Sequence, residues 1–394
     1  MDSQPGRGGR FVLQQPGPAQ YRAFIPAPLP PAPLTIGGDL QNLIERASLA
    51  VGRVDGITRL LPDPQLFLYM FIRKEAVLSS QIEGTQSSLS DLLRHEMSGS
   101  AGVPTGDLAE VSNYIGAMSH GLSLLKRLPL SLRVVREIHE RLVAGTRGND
   151  KAPGQFRTTQ NWIGGSHPGN AFFVPPPPHE VGPALGNLEN FINDVPNRTP
   201  TLLKAGISHA QFETIHPFLD GNGRVGRLLI TLILVGENAL SQPLLYLSLF
   251  FKQHRGDYYE RLQRIRTHGD WEGWLSFYLE GICQVAQQVT ETAHDLVRLF
   301  EKDRQAILAS PRGVQSMTKV FELLRRKAFL SIPEAARDLE LTAPTISAAI
   351  KRLEALGIVG ETTGRARDRL FRYSRYLEIL SAGTQPPEVS REAE

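Results

Sequence analysis

The stretch from His216 to Arg227 combines residue types that could bind and transfer a phosphate group. It reads His-Pro-Phe-Leu-Asp-Gly-Asn-Gly-Arg-Val-Gly-Arg and continues into an apolar segment at 228–235. One helix is expected to end before the glycines and another to begin among them, which places unpaired backbone N–H groups at a positive helix end. Gly221 and Gly223 let the backbone approach an anion closely. The spacing therefore predicts a phosphate-binding loop suited to a triphosphate.

The charged side chains of this stretch supply the other parts of an in-line displacement at phosphorus. Arg224 and Arg227 are three residues apart on the first turn of the second helix, so both are expected to reach a polyphosphate. Asp220 is a hard carboxylate of the kind that binds magnesium together with phosphate oxygens. His216, with an ordinary pKa of about 6.5, could accept the proton of an attacking hydroxyl. Taken singly, each residue is also typical of a structural turn.

Helical periodicity dominates the chain on both sides of this loop. Apolar residues recur at helical spacing from residue 40 onward, and the pattern resumes after an interruption at 151–178. The predicted helical segments are 40–49, 66–83, 107–126, 130–145 and, apart from the loop itself, 181–301. A mainly helical core is therefore expected to position the loop.

The interruption has the composition of a β-hairpin. Short β-prone runs at 157–163 and 171–174 bracket a turn that contains Gly164 and Gly165. Four prolines at 175–178 end the second run, because proline cannot donate a hydrogen bond to a ladder. A hairpin is therefore predicted between two helical segments.

Composition favours a chain that stays in a reducing compartment. Of 394 residues, 41% are hydrophobic and 21% charged, as in an ordinary globular protein of two or three domains. The longest apolar run, 228–235, is far shorter than the ~20 residues that cross a bilayer, and no hydrophobic signal segment begins the chain. Cys283 is the only cysteine, which excludes an internal disulfide and a cysteine zinc cluster. We expect a soluble, cytoplasmic protein with no membrane partner.

The C-terminal segment has the element order of a winged helix-turn-helix. A capping box at Ser331 and Glu334 begins one helix, and a second helix is predicted over 342–356. Short β-prone runs follow at 358–359 and 368–373. The recognition helix would carry Thr342, Pro344, Thr345, Ser347, Lys351 and Arg352, and the wing Arg365, Arg367, Arg369 and Arg372.

Basic charge is concentrated in the same segment. Residues 312–376 contain 13 Lys/Arg and 7 Asp/Glu, a net charge of +6, whereas the whole chain has +3. One interpretation is DNA binding through residues 331–376, with the helix in a major groove and the wing on phosphates. The other is a protein-docking module that selects a substrate or forms a dimer. Both interpretations remain open.

A second motif, Ser-Ser-Gln-Ile-Glu-Gly, lies upstream at residues 79–84. Gly84 could simply end a helix, with Glu83 as a solvated surface charge. However, a carboxylate in the last helical turn faces the negative end of the helix dipole, which suggests a positive partner elsewhere in the fold.

The complete string from His216 resembles the signature of Fic-domain protein adenylyltransferases. The matching residues are His216, Phe218, Asp220, Gly221, Asn222, Gly223, Arg224 and Arg227, with Val225 and Gly226 between the two arginines. The resemblance spans roughly residues 40–300 and implies transfer of AMP from ATP to a hydroxyl of another protein. Glycine at 223 favours this chemistry, since the phosphorylating Doc-type relatives carry lysine there.

The resemblance also implies a role for each motif residue. His216 would be the general base, Asp220 the Mg²⁺ ligand, and Arg227 the residue that holds the γ-phosphate of ATP. Asn222 and the loop amides would hold the α-phosphate, and Phe218 would pack under the loop. The implied nucleotide-binding set comprises Asp220, Gly221, Asn222, Gly223, Arg224, Val225, Gly226 and Arg227.

Two further elements follow from the resemblance. The hairpin at 157–174 would be the flap that pairs with the target as an added strand, and its Gly164 and Gly165 would line the nucleotide site. Tyr258, in the Tyr258-Tyr259 pair, would contact the adenosine side, although a tyrosine pair on a helix is also typical of a core.

The motif at 79–84 resembles the family's inhibitory helix. By that resemblance Glu83 would pair with Arg227 and block the seat of the γ-phosphate, Ser79 would support the contact one turn earlier, and Gly84 would end the helix. The chain would then be a self-inhibited enzyme with its inhibitory element on the N-terminal side.

These inferences define the expected architecture. The fold is predicted to be mainly α, a Fic helical core with a β-hairpin flap and a C-terminal winged helix-turn-helix. The expected boundaries are a flexible Pro-rich leader at 1–34, an N-terminal helical region with the inhibitory helix at 35–125, a catalytic core at 126–300, the winged domain at 311–380 and a flexible tail at 381–394.

Alternatives to the adenylyltransferase hypothesis remain. The main one is a DNA-binding transcriptional regulator in which the Fic core is a sensor or scaffold. Within the enzyme class, removal of AMP or transfer of another phosphate-linked group is also consistent with the motif. The target protein could be the protein itself, and a homodimer is left open.

Overall fold

The computed structural model describes residues 6–15, 20–60, 64–97, 106–362 and 369–386, and within them the fold is mainly helical, as predicted. The helices are α1 (Gly38–Leu60), α2 (Pro64–Ile82), α3 (Leu89–Met97), α4 (Asp107–Leu125), α5 (Leu132–Val143), α6 (Pro178–Ile192), α7 (Thr201–Ile215), α8 (Asn222–Gly236), α9 (Ser248–Gln253), α10 (Arg255–His268), α11 (Trp271–Leu308), α12 (Val314–Lys327), α13 (Ile332–Asp338), α14 (Ala343–Ala355) and α15 (Ser374–Ser381). The strands are β1 (Gly9–Gln14), β2 (Tyr21–Pro26), β3 (Phe329–Ser331), β4 (Val359–Glu361) and β5 (Leu370–Tyr373).

Two central helices hold the loop that the sequence singled out. Every residue of α7 from Leu202 to Ile215 is buried, so this helix is surrounded by other elements on all sides. α8 packs against α7, and its residues are buried as far as Leu234 except Gly223. Around this pair, α1 lies along the 38-residue α11, and α2 packs against α4 and α9. The loop between α7 and α8 is therefore anchored at both ends in the core.

The leader was predicted to be flexible, and this prediction is wrong for its described residues. β1 and β2 pair antiparallel, from Gly9 opposite Pro26 to Gln14 opposite Tyr21. Phe24 is fully buried, and its ring lies 6.1 Å from that of Phe173. The proline-rich composition gave no sign of these two six-residue strands, which are stabilised by packing of apolar side chains such as Phe24.

The flap is less regular than the predicted hairpin. Within it, Ile163 and Phe173 form an isolated bridge, and residues 168–170 form a short 3₁₀ turn. The next carbonyl, that of Val174, accepts a hydrogen bond from the N–H of Phe24 at 2.9 Å. The edge of the flap is therefore continued by the leader strand β2.

The C-terminal helices and strands form the expected winged helix-turn-helix. β3, β5 and β4 make a three-stranded antiparallel sheet in that spatial order. The side chain of Ser331 caps α13 and that of Thr342 caps α14, each accepting a hydrogen bond of 3.4 Å. Arg365 and Arg367, assigned to the wing, lie outside the described residues.

The tail was expected to be flexible from residue 381, but its described part packs on the N-terminal region. Residue 381 ends α15, and Thr384 is 1% exposed. The side chain of Gln81 on α2 donates 2.9 Å hydrogen bonds to the carbonyls of Ser87 and Thr384. Because Gln81 is buried, its polar amide is stabilised by these partners.

Within the described ranges, none of the helices combines the length and apolar character that a membrane span requires.

Candidate active site between α7 and α8

The loop is shaped by two residues in the left-handed region. His216 ends α7 with φ 49° and ψ 59°, and Gly221 precedes α8 with φ 78°. The first conformation is costly for a residue with a side chain, so surrounding contacts must support it. The reversal places His216 and the first turn of α8 on either side of one short loop.

Asn222 supports this loop from within. Its side chain accepts a hydrogen bond from the N–H of Phe218 and donates one to the carbonyl of Phe218, both at 2.8 Å. Asn222 is 2% exposed, so in this structure its side chain braces the loop.

His139 on α5 lies under the loop and was not identified from the sequence. Its ring stacks on Phe218 with 3.7 Å between the centroids, and Phe218 is fully buried, as expected. The N–H of Gly154 donates to His139 Nδ1 at 2.9 Å, so Nε2 carries the proton and donates to the carbonyl of Asp220 at 3.0 Å. Burial lowers the pKa of His139 to about 4, although the hydrogen bond to the Asp220 backbone and the charge of Asp220 oppose this shift, and the ring is therefore neutral.

His216 is electrostatically set to be neutral. Burial lowers its pKa to about 4, and Arg266 and Arg157 add to the effect, while the backbone of Glu213 and the carboxylate of Glu83 oppose it. A neutral imidazole can accept a proton from a hydroxyl at physiological pH. The geometry is thus compatible with a base beside an anion-binding loop.

Arg224 and Arg227 differ from the expectation that both reach over the loop. Arg224 is 1% exposed, and its guanidinium lies 3.0 Å from the carboxylate of Glu110 on α4 and 3.6 Å from that of Asp220. Its charge is therefore already paired inside the protein. Glu110 precedes Arg224 by 114 residues, so no local pattern in the sequence pointed to it.

Arg227 is paired with the residue that the upstream motif suggested. Its guanidinium donates to Glu83 Oε1 at 2.6 Å, to Ser79 Oγ at 2.9 Å and to the Ser79 carbonyl at 3.0 Å. Gly84, with φ 103°, ends the helical turn that carries Glu83. A side chain at Gly223 would collide with the Glu83 carboxylate, so this carboxylate lies directly against the first turn of α8.

The charges of this pair stabilise each other. Burial raises the pKa of Glu83, but the charge and hydrogen bond of Arg227, with Arg224 and His216, more than offset it, and the pKa lies below its ordinary value. Burial lowers the pKa of Arg227, but the charge of Glu83, followed by Tyr258 and Glu213, more than offsets this effect, and the pKa lies above its ordinary value. The anion at the start of α8 is thus a carboxylate of the protein itself.

Asp220 is partly exposed in the loop, and the flap glycines Gly164 and Gly165 are exposed. The Asp220 side chain is 29% exposed, and its Oδ1 accepts a 2.5 Å hydrogen bond from the N–H of Gly221. Gly164 and Gly165 have φ of 69° and 70°, which a glycine adopts without strain. At Gly165 a side chain would also strike Asn170 in the flap turn.

Tyr258, expected to contact adenosine, is instead part of the core. It is 1% exposed, and its hydroxyl lies 2.9 Å from Nε2 of His209. The neighbouring Tyr259 is 40% exposed and lies beside Arg255, with 5.8 Å from the guanidinium carbon to the ring centre. In this structure the accessible ring of the pair is therefore that of Tyr259.

Comparison with known families matches three segments of the chain. The Fic/DOC family N-terminal model matches residues 41–123, the Fic/DOC family model residues 129–234, and the winged helix-turn-helix DNA-binding model residues 317–359. The second segment contains the loop from His216 to Arg227, and the first contains Glu83.

Curated relatives resemble part of the chain. The Protein adenylyltransferase Fic of Drosophila grimshawi is 30% identical over 156 residues, which is 39% of this chain and 29% of that protein. The Protein adenylyltransferase Fic of Aedes aegypti is 31% identical over 149 residues, 38% of this chain and 27% of that protein. The similarity thus covers less than a third of each relative.

Solved structures share the fold over a longer part of the chain. A Fic family protein from Desulfovibrio desulfuricans superposes with a TM-score of 0.58 and 20% identity, covering 87% of this chain and 98% of that one. A Fic domain containing signaling protein from Bacteroides thetaiotaomicron gives a TM-score of 0.50 and 16% identity, covering 66% and 97%. The solved structures show a shared fold, and the family matches identify residues 41–123 and 129–234 as Fic/DOC family segments, followed by a winged helix-turn-helix domain at 317–359.

Proposed function

We propose that this protein is a protein adenylyltransferase that moves AMP from ATP to a Ser, Thr or Tyr hydroxyl of a target protein, and that it inhibits itself. The observation that carries the proposal is the contact of Glu83 with Arg227 against Gly223. In this arrangement a neutral His216 lies beside the N-terminal end of α8, and the anion bound at that helix end is the Glu83 carboxylate of the chain itself. The curated relatives named protein adenylyltransferases support the choice of reaction.

The residues present suit an in-line transfer. As the acceptor oxygen bonds to the α-phosphorus of ATP, the acceptor proton passes to His216, the bond from that phosphorus to the β-phosphate oxygen breaks, and pyrophosphate leaves. The backbone N–H groups at the start of α8 and the charge of Arg227 bind the phosphates. These N–H groups are held in place because the side chains of Asn222 and His139 fix the backbone of the preceding loop by hydrogen bonds.

Asp220 fits the role of a magnesium ligand. It is a partly exposed carboxylate at the entrance of the loop, and magnesium commonly uses one or two protein carboxylates with substrate oxygens and water. In the described part of the chain, no cluster of three or more His, Cys, Asp or Glu side chains offers an all-protein site. When bound, the ion neutralises phosphate charge.

Self-inhibition follows from the position of Glu83. Its carboxylate occupies Arg227 and the surface of Gly223, where a phosphate of ATP would need the same charge and the same space. ATP therefore competes with an intramolecular ligand. A charge-assisted hydrogen bond of this kind contributes about 1.5–3 kcal/mol, which corresponds to roughly one to two powers of ten in activity.

Labelling with α-³²P-ATP tests the reaction and the inhibition together. Glu83→Gly is expected to raise incorporation of label into protein about 10- to 100-fold over the wild type, since Arg227 is released. Adding His216→Ala to Glu83→Gly is expected to abolish the labelling. Equal labelling of the two variants would overturn the assignment of His216. Mass spectrometry of the modified protein distinguishes AMP from another phosphate-linked group.

The same variant tests removal of AMP as an alternative reaction. A target labelled by Glu83→Gly is isolated, freed of ATP and incubated with the wild type. Stable label under these conditions supports transfer as the main activity. Loss of label that requires Glu83 would show that the chain also hydrolyses the linkage.

DNA binding by the winged domain is a second candidate function. It is favoured by the net charge of +6 over residues 312–376 and by exposed Lys351 and Arg352 on α14. A mobility-shift titration of the full chain against salt tests it, with Lys351→Glu as the matched variant. DNA binding predicts a complex that weakens as salt rises and in the variant. Absence of a complex at low salt would exclude DNA binding and favour the interpretation of the domain as a protein-docking module.

A further inference from the structure

We propose that Arg157 and Asn161, at the base of the flap, are positioning residues for His216, holding the backbone that sets where its imidazole stands. This inference rests on the proposed adenylyl transfer, in which His216 is the base, and it assigns to the flap a part in the chemistry itself.

The two residues bind the four successive carbonyls of residues 215–218. Arg157 donates from Nε to His216 O at 2.9 Å, from Nη2 to Ile215 O at 3.3 Å, and from its own backbone N–H to Pro217 O at 2.8 Å. Asn161 Nδ2 donates to His216 O at 3.2 Å and to Phe218 O at 3.0 Å. The chain from Ile215 to Phe218 is thus clamped by the flap.

This part of the chain needs such support. His216 is in the left-handed region with φ 49°, and the last carbonyls of α7 have no further helical turn to donate to them. The hydrogen bonds of Arg157 and Asn161 satisfy those carbonyls in this particular conformation. Without them, the backbone can relax, and the imidazole moves relative to the start of α8.

Arg157 is tied to the flap at its other end. Its guanidinium also donates to the carbonyls of Pro176 at 2.6 Å and Thr159 at 3.2 Å. Among the described residues, the hydrogen bonds of this side chain all go to main-chain carbonyls, and the side chain is buried. A planar guanidinium with five donors can make these contacts together, whereas a lysine cannot.

Besides holding the backbone, Arg157 acts on His216 through its charge, which lowers the pKa of the imidazole. The groups that act on the imidazole are Arg157 of the flap, Arg266 of α10, Glu83 just after α2 and the backbone of Glu213 on α7. After burial, the two arginines lower the pKa of His216, and the other two oppose them. Loss of the Arg157 charge therefore raises this pKa.

Three variants in the Glu83→Gly background separate position from charge. Arg157→Gln is expected to lower kcat about 10²-fold, as for a base displaced by ~1 Å, and to move the acid limb of the pH profile to higher pH. Arg157→Lys keeps the positive charge but not the planar set of donors. Its acid limb should therefore lie where it does in the Glu83→Gly background, whereas its kcat should stay as low as in Arg157→Gln. Asn161→Ala loses only the amide bonds and should lower kcat about tenfold with the acid limb unchanged.

The matched control is Gln160→Ala in the same segment. The side chain of Gln160 donates to the carbonyls of Asn161 and Pro175, both outside the motif. The kcat of Gln160→Ala is expected to stay within about twofold of that of the Glu83→Gly background, because these hydrogen bonds do not hold the backbone of His216. Binding of a non-hydrolysable ATP analogue, measured by calorimetry, should be unchanged in all these variants, since the loop amides at the start of α8 are not altered.

NMR titration of His216, assigned by difference with His216→Ala, gives a readout that does not need turnover. A raised pKa in Arg157→Gln but not in Arg157→Lys is expected. The inference is overturned if Arg157→Gln keeps the kcat and the His216 pKa of its background, or if its activity falls only together with analogue binding. If the Glu83→Gly background itself transfers no AMP, the proposed function fails, and the titration still decides whether Arg157 controls His216.

Discussion

Arg224 and Arg227 lie three residues apart on one helix, and each meets a glutamate from the N-terminal region, yet the two pairs have different surroundings. Glu110, the partner of Arg224, has a side chain that is 8% exposed, whereas that of Glu83, the partner of Arg227, is 31% exposed. Both arginines are themselves buried. The difference therefore lies in the access of solvent and ligands to the glutamate.

The location of each glutamate explains what its pair can do. Glu110 is on the first turn of α4, where its charge also suits the helix dipole, and it joins α4 to α8 inside the protein. Glu83 follows the last turn of α2 and stands against Gly223, at the end of a helix where its charge is unfavourable. The first pair can hold the fold together, and the second can be replaced by an incoming anion.

Removing Glu110 should have the largest effect on stability. Glu110→Ala removes the carboxylate that lies 3.0 Å from the buried guanidinium of Arg224 and leaves only the longer 3.6 Å contact with Asp220, and breaking a buried ion pair in this way costs about 3–5 kcal/mol. Urea denaturation should show this loss. Glu83→Ala, as the comparison variant, should change the urea midpoint much less while raising AMP transfer. Similar losses in both variants would remove the distinction between the two pairs.

Glu75 is a further carboxylate close enough to Arg227 to feel its charge, and unlike Glu83 it has a raised pKa, so its effect on stability should depend on pH. Burial raises the pKa of Glu75 to about 7, although hydrogen bonds from Ser248 and Tyr114 and the charge of Arg227 lower it. A folded-state pKa above the unfolded value means that this group's contribution to stability is complete below about pH 4.5 and is lost as pH rises through about 7.

The corresponding prediction concerns Glu75→Gln. Because glutamine does not ionise, the free energy of unfolding of the variant minus that of the wild type should grow by on the order of 3 kcal/mol between pH 5 and pH 8. The difference is the right quantity, because buried His139, His209 and His216, with lowered pKa values, change stability in the opposite direction. A difference that is constant with pH would mean that Glu75 is already ionised in the folded protein.

The parts of this molecule that the sequence predicted are those with a local pattern. The helix, glycine loop and helix around His216, the position of Gly84 and the order of elements in the winged domain all depend on neighbouring residues. The pairing of Glu83 with Arg227, 144 residues apart, was available through the resemblance to a family motif. The only physical indication of this pair in the sequence was the negative charge of Glu83 at the C-terminal end of α2, which is unfavourable without a positive partner.

The parts that the sequence did not predict depend on contacts between distant segments. Glu110, His139 and Arg157 are ordinary residues on their own elements, and their roles arise when those elements meet the loop. The burial of Tyr258 and the exposure of Tyr259 were not predicted for a related reason, since which of two adjacent residues is buried depends on the phase of the helix against its neighbours. The leader hairpin was hidden by the surrounding prolines and glycines.

Ser79 allows the smallest and most local test of the proposed inhibition by Glu83. Its hydroxyl accepts a hydrogen bond from Arg227 Nε at 2.9 Å, and Ser79→Ala removes this bond while the contacts of Arg227 with Glu83 and with the Ser79 carbonyl remain. One hydrogen bond contributes about 1 kcal/mol, so AMP transfer should rise about fivefold, less than in Glu83→Gly. The neighbouring Ser80 is equally buried, and within the described structure its hydroxyl has no hydrogen-bond partner, which makes Ser80→Ala the matched control. If both serine variants activate to the same extent, loosening of α2 in general, rather than the bond to Arg227, relieves the inhibition.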